Sequence, residues 1–296
     1  MRKYACLFGA LALLGSAAGL CLRVVEVNTL LDRRTMLMEV APVSIILMVV
    51  MAAFLVGFIL LAKKWPVPDF PPRYGPVFRG TGMLTVSVLC CLALLVGASL
   101  GLHRWKESGK VFHAILALLA ALSGFGWLSL SFDAQRKKPD GCTLLAAAMP
   151  IVFCGLLLVG YYKTYAPIPA MRYTMYTFLA LCADLLAVHF FAGFTAPRLR
   201  PRTALAFAGA GIVLSLTSLP GVEETEIRIY LAVFAVQLCA HSLRMLIPRE
   251  YDAADFAEPV PPEAEAPNTG EAEQPEAESA EAPETVPEAA DTDPEA

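Results

Sequence analysis

The chain has no Walker A sequence, no Rossmann glycine fingerprint, no HExxH and no cluster of metal-ligand residues. Those absences remove the usual signatures of an ATP-driven pump, a dinucleotide enzyme and a zinc hydrolase. No catalytic residue is assigned on this reading, and neither a cofactor nor a metal is implied. The eight cysteines include no CxxC pair. All lie within or at the edges of apolar runs, where cysteine is usually a small core residue. Cys90 and Cys91 point to different helix faces and cannot hold one metal together. Charge is also scarce. Charged residues make up 17% of the chain and hydrophobic ones 57%, whereas a soluble domain is about a quarter charged.

Basic residues are missing altogether from Glu250 onward. The net charge of −4 therefore joins two opposite parts. All 23 Lys and Arg precede Glu250, and 16 of the 27 acids follow from it, which leaves 11 in the body. The body carries +12 and the tail −16. The tail, residues 249–296, has eight prolines and many Glu-Ala units. Its self-repulsion and its few apolar residues after Phe256 predict a disordered, solvated segment that could also hold a protein partner. The body's charges sit between apolar runs, which suits anionic lipid at the basic loops and not nucleic acid.

What the body does have is apolar runs of membrane-crossing length, which need about 20 residues. Eight are expected, near 4–22, 40–62, 82–103, 111–132, 142–162, 171–194, 203–219 and 227–246. Aromatics gather at their ends (Tyr4, Trp65, Trp105, Tyr161, Tyr162, Tyr165, Tyr173 and Tyr230), as in an interfacial belt. The fold expected is an all-α polytopic bundle over residues 1–248. With the amino terminus inside, inner segments hold 14 Lys and Arg against nine outside. That bias puts both termini in the cytoplasm.

The first run has a second reading. Arg2-Lys3, a short apolar stretch and Ser16-Ala17-Ala18 also suit a cleaved signal peptide, which would leave seven spans. Continuation of the run to Leu22 favours a retained anchor. Arg23–Glu39 is then an outer loop, with Val24, Val27, Leu31 and Met38 on one helical face for the interface. Five prolines between Lys63 and Gly82 predict an extended linker.

Asp184 is the sharpest intramembrane residue. An acid at a helix centre costs about 2.5–3.5 kcal/mol on insertion scales, so it should face protein or water. Tyr173, Tyr176, Thr177 and Ala180 share its face. The stripe reads either as a proton or cation site or as an acid hydrogen-bonded to a neighbouring helix. His189 lies about 140° round the helix and is not its partner. In the last run Gln237, His241 and Arg244 form a second stripe, and Asp184 with His241 is the preferred pair between helices. Arg244 otherwise reaches for the inner surface.

Gly97-Ala98-Ser99-Leu100-Gly101 spells G-x-S-x-G, but the nucleophile elbow needs a strand before it. Rhomboid proteases carry Gly-x-Ser-Gly with a His on a later span, and Leu100 stands where that motif needs Gly. Ser99 and His189 would also differ in depth by roughly 15–20 Å. An intramembrane protease is not expected. Ala204, Ala208, Gly211, Ser215 and Ser218 give the seventh run a small face, as Ala114, Ala117, Ala121 and Gly124 do the fourth. Such faces allow close packing, within the bundle or in a homo-oligomer. Pro150 frees the carbonyl of Ala146 and predicts a kink.

The segments His189-Phe-Phe-Ala-Gly-Phe, Pro197-Arg-Leu-Arg-Pro-Arg-Thr203 and Ser215 to Pro220-Gly221 resemble a pattern in multi-pass proteins of anaerobic Gram-positive bacteria. The resemblance covers the last three spans. It implies a bacterial plasma membrane and carries no activity. The expected role is binding, as a scaffold, sensor or accessory subunit. A small carrier using Asp184 is the alternative, and an intramembrane enzyme comes third.

Overall fold

A computed structural model describes residues 2–32, 37–38, 42–68, 77–136, 142–165, 171–196 and 199–247. The acidic tail, Arg73, Lys137, Lys138 and Arg198 fall outside these residues, as does the side chain of Tyr173. Apolar runs in lipid can satisfy their backbone only within themselves, so each becomes a helix. Among the described residues eight α-helices result: α1 (Arg2–Leu30), α2 (Pro42–Lys64), α3 (Thr81–Ser108), α4 (Val111–Arg136), α5 (Thr143–Tyr165), α6 (Met171–Ala192), α7 (Pro201–Ser218) and α8 (Thr225–Leu246). All eight are long and apolar enough to cross a membrane. Short 3-10 turns follow α6 at Gly193–Thr195 and α7 at Leu219–Gly221.

The central pair is α7 and α8, the two most buried spans. Around α7 stand α1, α2, α6 and α8. α8 packs on α3, α6 and α7 and meets α4 and α5 through rings. Phe234 lies edge-on to Trp127 and stacks on Phe153, which is itself perpendicular to Tyr230. The exposed large side chains are mostly Leu, Ile and Val on the outer helix faces, the surface lipid tails would cover.

The first span departs from expectation. α1 does not end near Leu22 but continues to Leu30, so Arg23–Leu30 of the expected loop belongs to the first helix, while residues 33–36 and Glu39 lie outside the described residues. Leu31 and Met38, expected on one helical face, pair across a two-residue antiparallel bridge. The helix can continue because its two charges neutralise each other. Arg23 Nη1 donates to Glu26 Oε2 at 2.5 Å, with both side chains buried. The guanidinium also lies over the Tyr176 ring, 5.0 Å from its centre. The proline-rich connection is not loose at its ends either, since Trp65, Val77 and Phe78 are buried.

Both small-residue faces pack largely inside the bundle, with Ala114 and Ala121 of α4 half-buried. Ala204, Ala208, Gly211 and Ser215 are buried between α7 and its neighbours. On α4, Gly124 packs against Cys91 and Ala117 against Gly101 of α3. Pro150 leaves α5 continuous from Thr143 to Tyr165. A Cβ on Gly126 of α4 would sit 2.5 Å from the carbonyl oxygen of Ala146. The proline's orphaned acceptor is thus packed against a glycine backbone, a geometry open to a weak Cα–H···O contact. Gly126→Ala should therefore lower stability by about 1–3 kcal/mol, although Ala is normally the better helix former. Unfolding in mixed detergent micelles would measure it. An unchanged or higher midpoint would show that the carbonyl is not confined there.

Candidate functional site

Asp184 is fully buried on α6. Its Oδ2 accepts from Ser215 Oγ of α7 at 2.7 Å. Its other oxygen, Oδ1, has no hydrogen-bond partner. That oxygen faces the backbone of Gly211, where a Cβ would collide with it and lie 3.1 Å from Leu238 of α8. Two residues expected only to pack, Gly211 and Ser215, thus form the seat of the acid. Their spacing of four puts them on one face of α7, one turn apart.

Asp184 and His241 do not pair. At the depth of Asp184, α8 presents Leu238. His241 meets α6 at Phe191, about two turns further along, with ring centres 5.0 Å apart. Phe78 closes its other side, also at 5.0 Å. The His241 ring borders a void of about 10 Å³, room for a single water.

The rest of the α6 stripe divides between neighbours. Tyr176 lies under Arg23 of α1, while Asp184, eight residues on, turns to α7. Thr177 and Ala180 are buried between them. The α8 stripe forms a separate network. Gln237 Nε2 contacts Ser87 Oγ and His241 Nε2, both at 3.3 Å. Ser87 and Ser131 are hydrogen-bonded at 2.8 Å, and Ser131 donates to the Trp127 carbonyl. This chain ties α3, α4 and α8 together. Because Ser131 gives its one proton to the Trp127 carbonyl, Ser87 donates to Ser131 and accepts from Gln237 Nε2, which sets the orientation of the amide. Arg244, expected to reach for the surface, donates to the carbonyl of Arg79 and holds the turn before α3.

Ser99 is exposed and donates to the carbonyl of Val96 in its own helix. His189 is exposed on α6. No catalytic pair is assembled by these two. Among the described residues, no group of three or more His, Cys, Asp or Glu is placed to hold a metal.

Two charged clusters were not anticipated, both at the bundle end opposite the amino terminus. One is Arg23–Glu26. Its signal was present: Ala5, Phe8, Ala12, Ser16, Gly19, Arg23 and Glu26 continue one helical stripe past Leu22. The other joins α3, α5 and α8. Arg104 reaches Glu226 at 2.5 Å and Glu224 at 3.2 Å. Tyr165 donates to the same Glu224 oxygen at 2.6 Å. Beside it opens a cleft of about 430 Å³, lined by Leu100, His103, Arg104, Glu107 and residues 223–226. The run Glu223-Glu224 with Glu226 was the available signal, but its arginine lies 120 residues earlier.

No family model, curated protein or solved structure matches the chain.

Proposed function

We propose that this is a bacterial inner-membrane protein, with both termini cytoplasmic, that works by binding as a sensor or accessory subunit. The observation that supports it is the seat of Asp184. Its carboxyl group is engaged by Ser215 and pressed against Gly211, with Leu238 completing the contact. This is how an acid serves as a clasp between helices. Arg2, Lys3, Lys63, Lys64, Arg136, Arg200 and Arg202 would face anionic lipid on the cytoplasmic side, at about 1 kcal/mol per residue near the surface. The acidic tail is the part available to a protein partner. The close packing of Gly15 and Gly19 on α2 and α7 favours a retained first span.

The unpartnered Oδ1 of Asp184 is the one observation favouring a proton-coupled carrier. Asp184→Asn separates the two. Asparagine can still accept from Ser215, so the binding reading expects normal accumulation and a stability change within about 1 kcal/mol. Cross-linking and co-purification from native membranes would compare the full chain, Asp184→Asn and a chain ending at Arg249. Loss of a partner only in the shortened chain supports binding. Identical partners in all three, with dye-reported proton uptake in liposomes abolished by Asp184→Asn, would replace it with the carrier.

A further inference from the structure

We propose that the void beside His241 is a binding site for one water molecule, held by two donors, the imidazole of His241 on α8 and the indole of Trp127 on α4.

Hydrogen-bond direction along the network of α3, α4 and α8 identifies the first donor. Ser131 spends its proton on the Trp127 carbonyl, so Ser87 donates to Ser131 and Gln237 Nε2 donates to Ser87. The same amide nitrogen stands 3.3 Å from His241 Nε2. An amide nitrogen only donates, so Nε2 of the imidazole accepts and the ring proton lies on Nδ1. That N–H has no acceptor among the described residues, although the side chain is buried.

Trp127 supplies the second. An indole N–H can only donate, and a buried one ordinarily finds a partner. Trp127 is 3% exposed, yet its Nε1 has no hydrogen-bond acceptor among the described residues. Both rings border the same void. Two buried N–H groups without acceptors are costly, and one guest between them would satisfy both.

The ligand class follows from size and from what the walls lack. A void of about 10 Å³ admits one water and no organic molecule. The remaining walls, Phe78, Phe191 and aliphatic residues, carry no polar side-chain atom. The guest must therefore bring the acceptors, which excludes ammonium, a donor without a lone pair. A halide ion accepts as well, but its charge would be buried among neutral donors. Water has two lone pairs, one for each N–H, and two polar partners are the minimum for a buried water. Phe78, against the His241 ring at 5.0 Å, closes the site beneath the turn before α3. The water would tie α8 to α4 without passing through α3, closing the polar chain into a ring.

Water-edited solid-state NMR on the full-length protein in liposomes, nitrogen-labelled at Trp and His, tests this. Trp127→Phe and His241→Gln assign the two ring signals. Magnetisation is expected to pass from water to both N–H groups despite their burial. Filling the void with Ala147→Val should abolish the transfer at both rings while the other Trp and His signals stay in place. Ala192→Val fills it from α6 if the first variant does not fold. No transfer at either ring of the unaltered protein would mean a dry void and overturn the proposal. Transfer at His241 alone would place the Trp127 N–H against Phe234, its edge-on neighbour, and also overturn the shared site. Transfer that persists in the folded, filled variants would show water arriving by another route and would overturn it too. Ring signals that shift when chloride is exchanged for gluconate would assign the void to an anion instead.

Discussion

Glu26→Ala is expected to destabilise the bundle by about 3–5 kcal/mol, the range for breaking a buried ion pair from one side. The carboxylate it removes faces a guanidinium that is itself buried among α1, α6 and the turn after α7. The contact with Tyr176 remains and returns up to about 2 kcal/mol, so the lower half of that range is the firmer expectation. Replacing both partners should behave differently. Arg23→Met with Glu26→Leu removes both charges of the pair and should lie closer to wild type than Glu26→Ala does. Chemical unfolding in micelles, read by tryptophan fluorescence, would measure both. If Glu26→Ala unfolds like wild type, the pair is hydrated rather than buried. A double variant as unstable as the single would show that shape, and not charge, sets the cost.

That pair also explains where sequence reading stopped. Eight apolar runs became eight helices because hydropathy alone decides whether a segment can cross lipid. The end of α1 was misplaced because Arg23 and Glu26 read as solvent-seeking when taken singly. Their i, i+3 spacing cancels the charge, and only the seam of small residues below them hints at burial. Asp184 was legible as a buried acid from its position in a run. Its partner was not, because Ser215 and Gly211 read simply as small residues on a packing face. Serine serves both purposes, and which one applies depends on the register of α6 against α7. The same limit hid Ser87 and Ser131. Depth misdirected the His241 pairing: both residues lie past the middle of their spans, but His241 packs on Phe191, about two turns beyond Asp184 on α6. The Arg104 cluster joins three helix ends that are far apart in sequence, so no local pattern contains it.

Gly211→Leu should abolish the folded bundle, and the reason can be isolated. Even a single methyl at Gly211 would collide with Asp184 Oδ1 and touch Leu238. Gly211→Ala is therefore expected to cost about 1–3 kcal/mol by overpacking, against a helix-propensity gain of about 1 kcal/mol at an open site. Leucine adds three more heavy atoms where the first already meets two neighbouring helices, and belongs at or beyond the upper end. Asp184→Ala removes the obstacle. In the double variant Gly211→Ala/Asp184→Ala the new methyl moves into space the carboxyl group left, so the two losses should not add. A coupling of about 0.5–3 kcal/mol in the restoring direction is expected from the double-mutant cycle. Strict additivity would mean that the acid and the glycine do not touch. The same cycle bears on function: a clasp is replaceable by complementary packing, so the double variant should keep its partners. A transport residue has no such substitute, and a stable double variant that retained partners but lost proton uptake would assign Asp184 to the carrier.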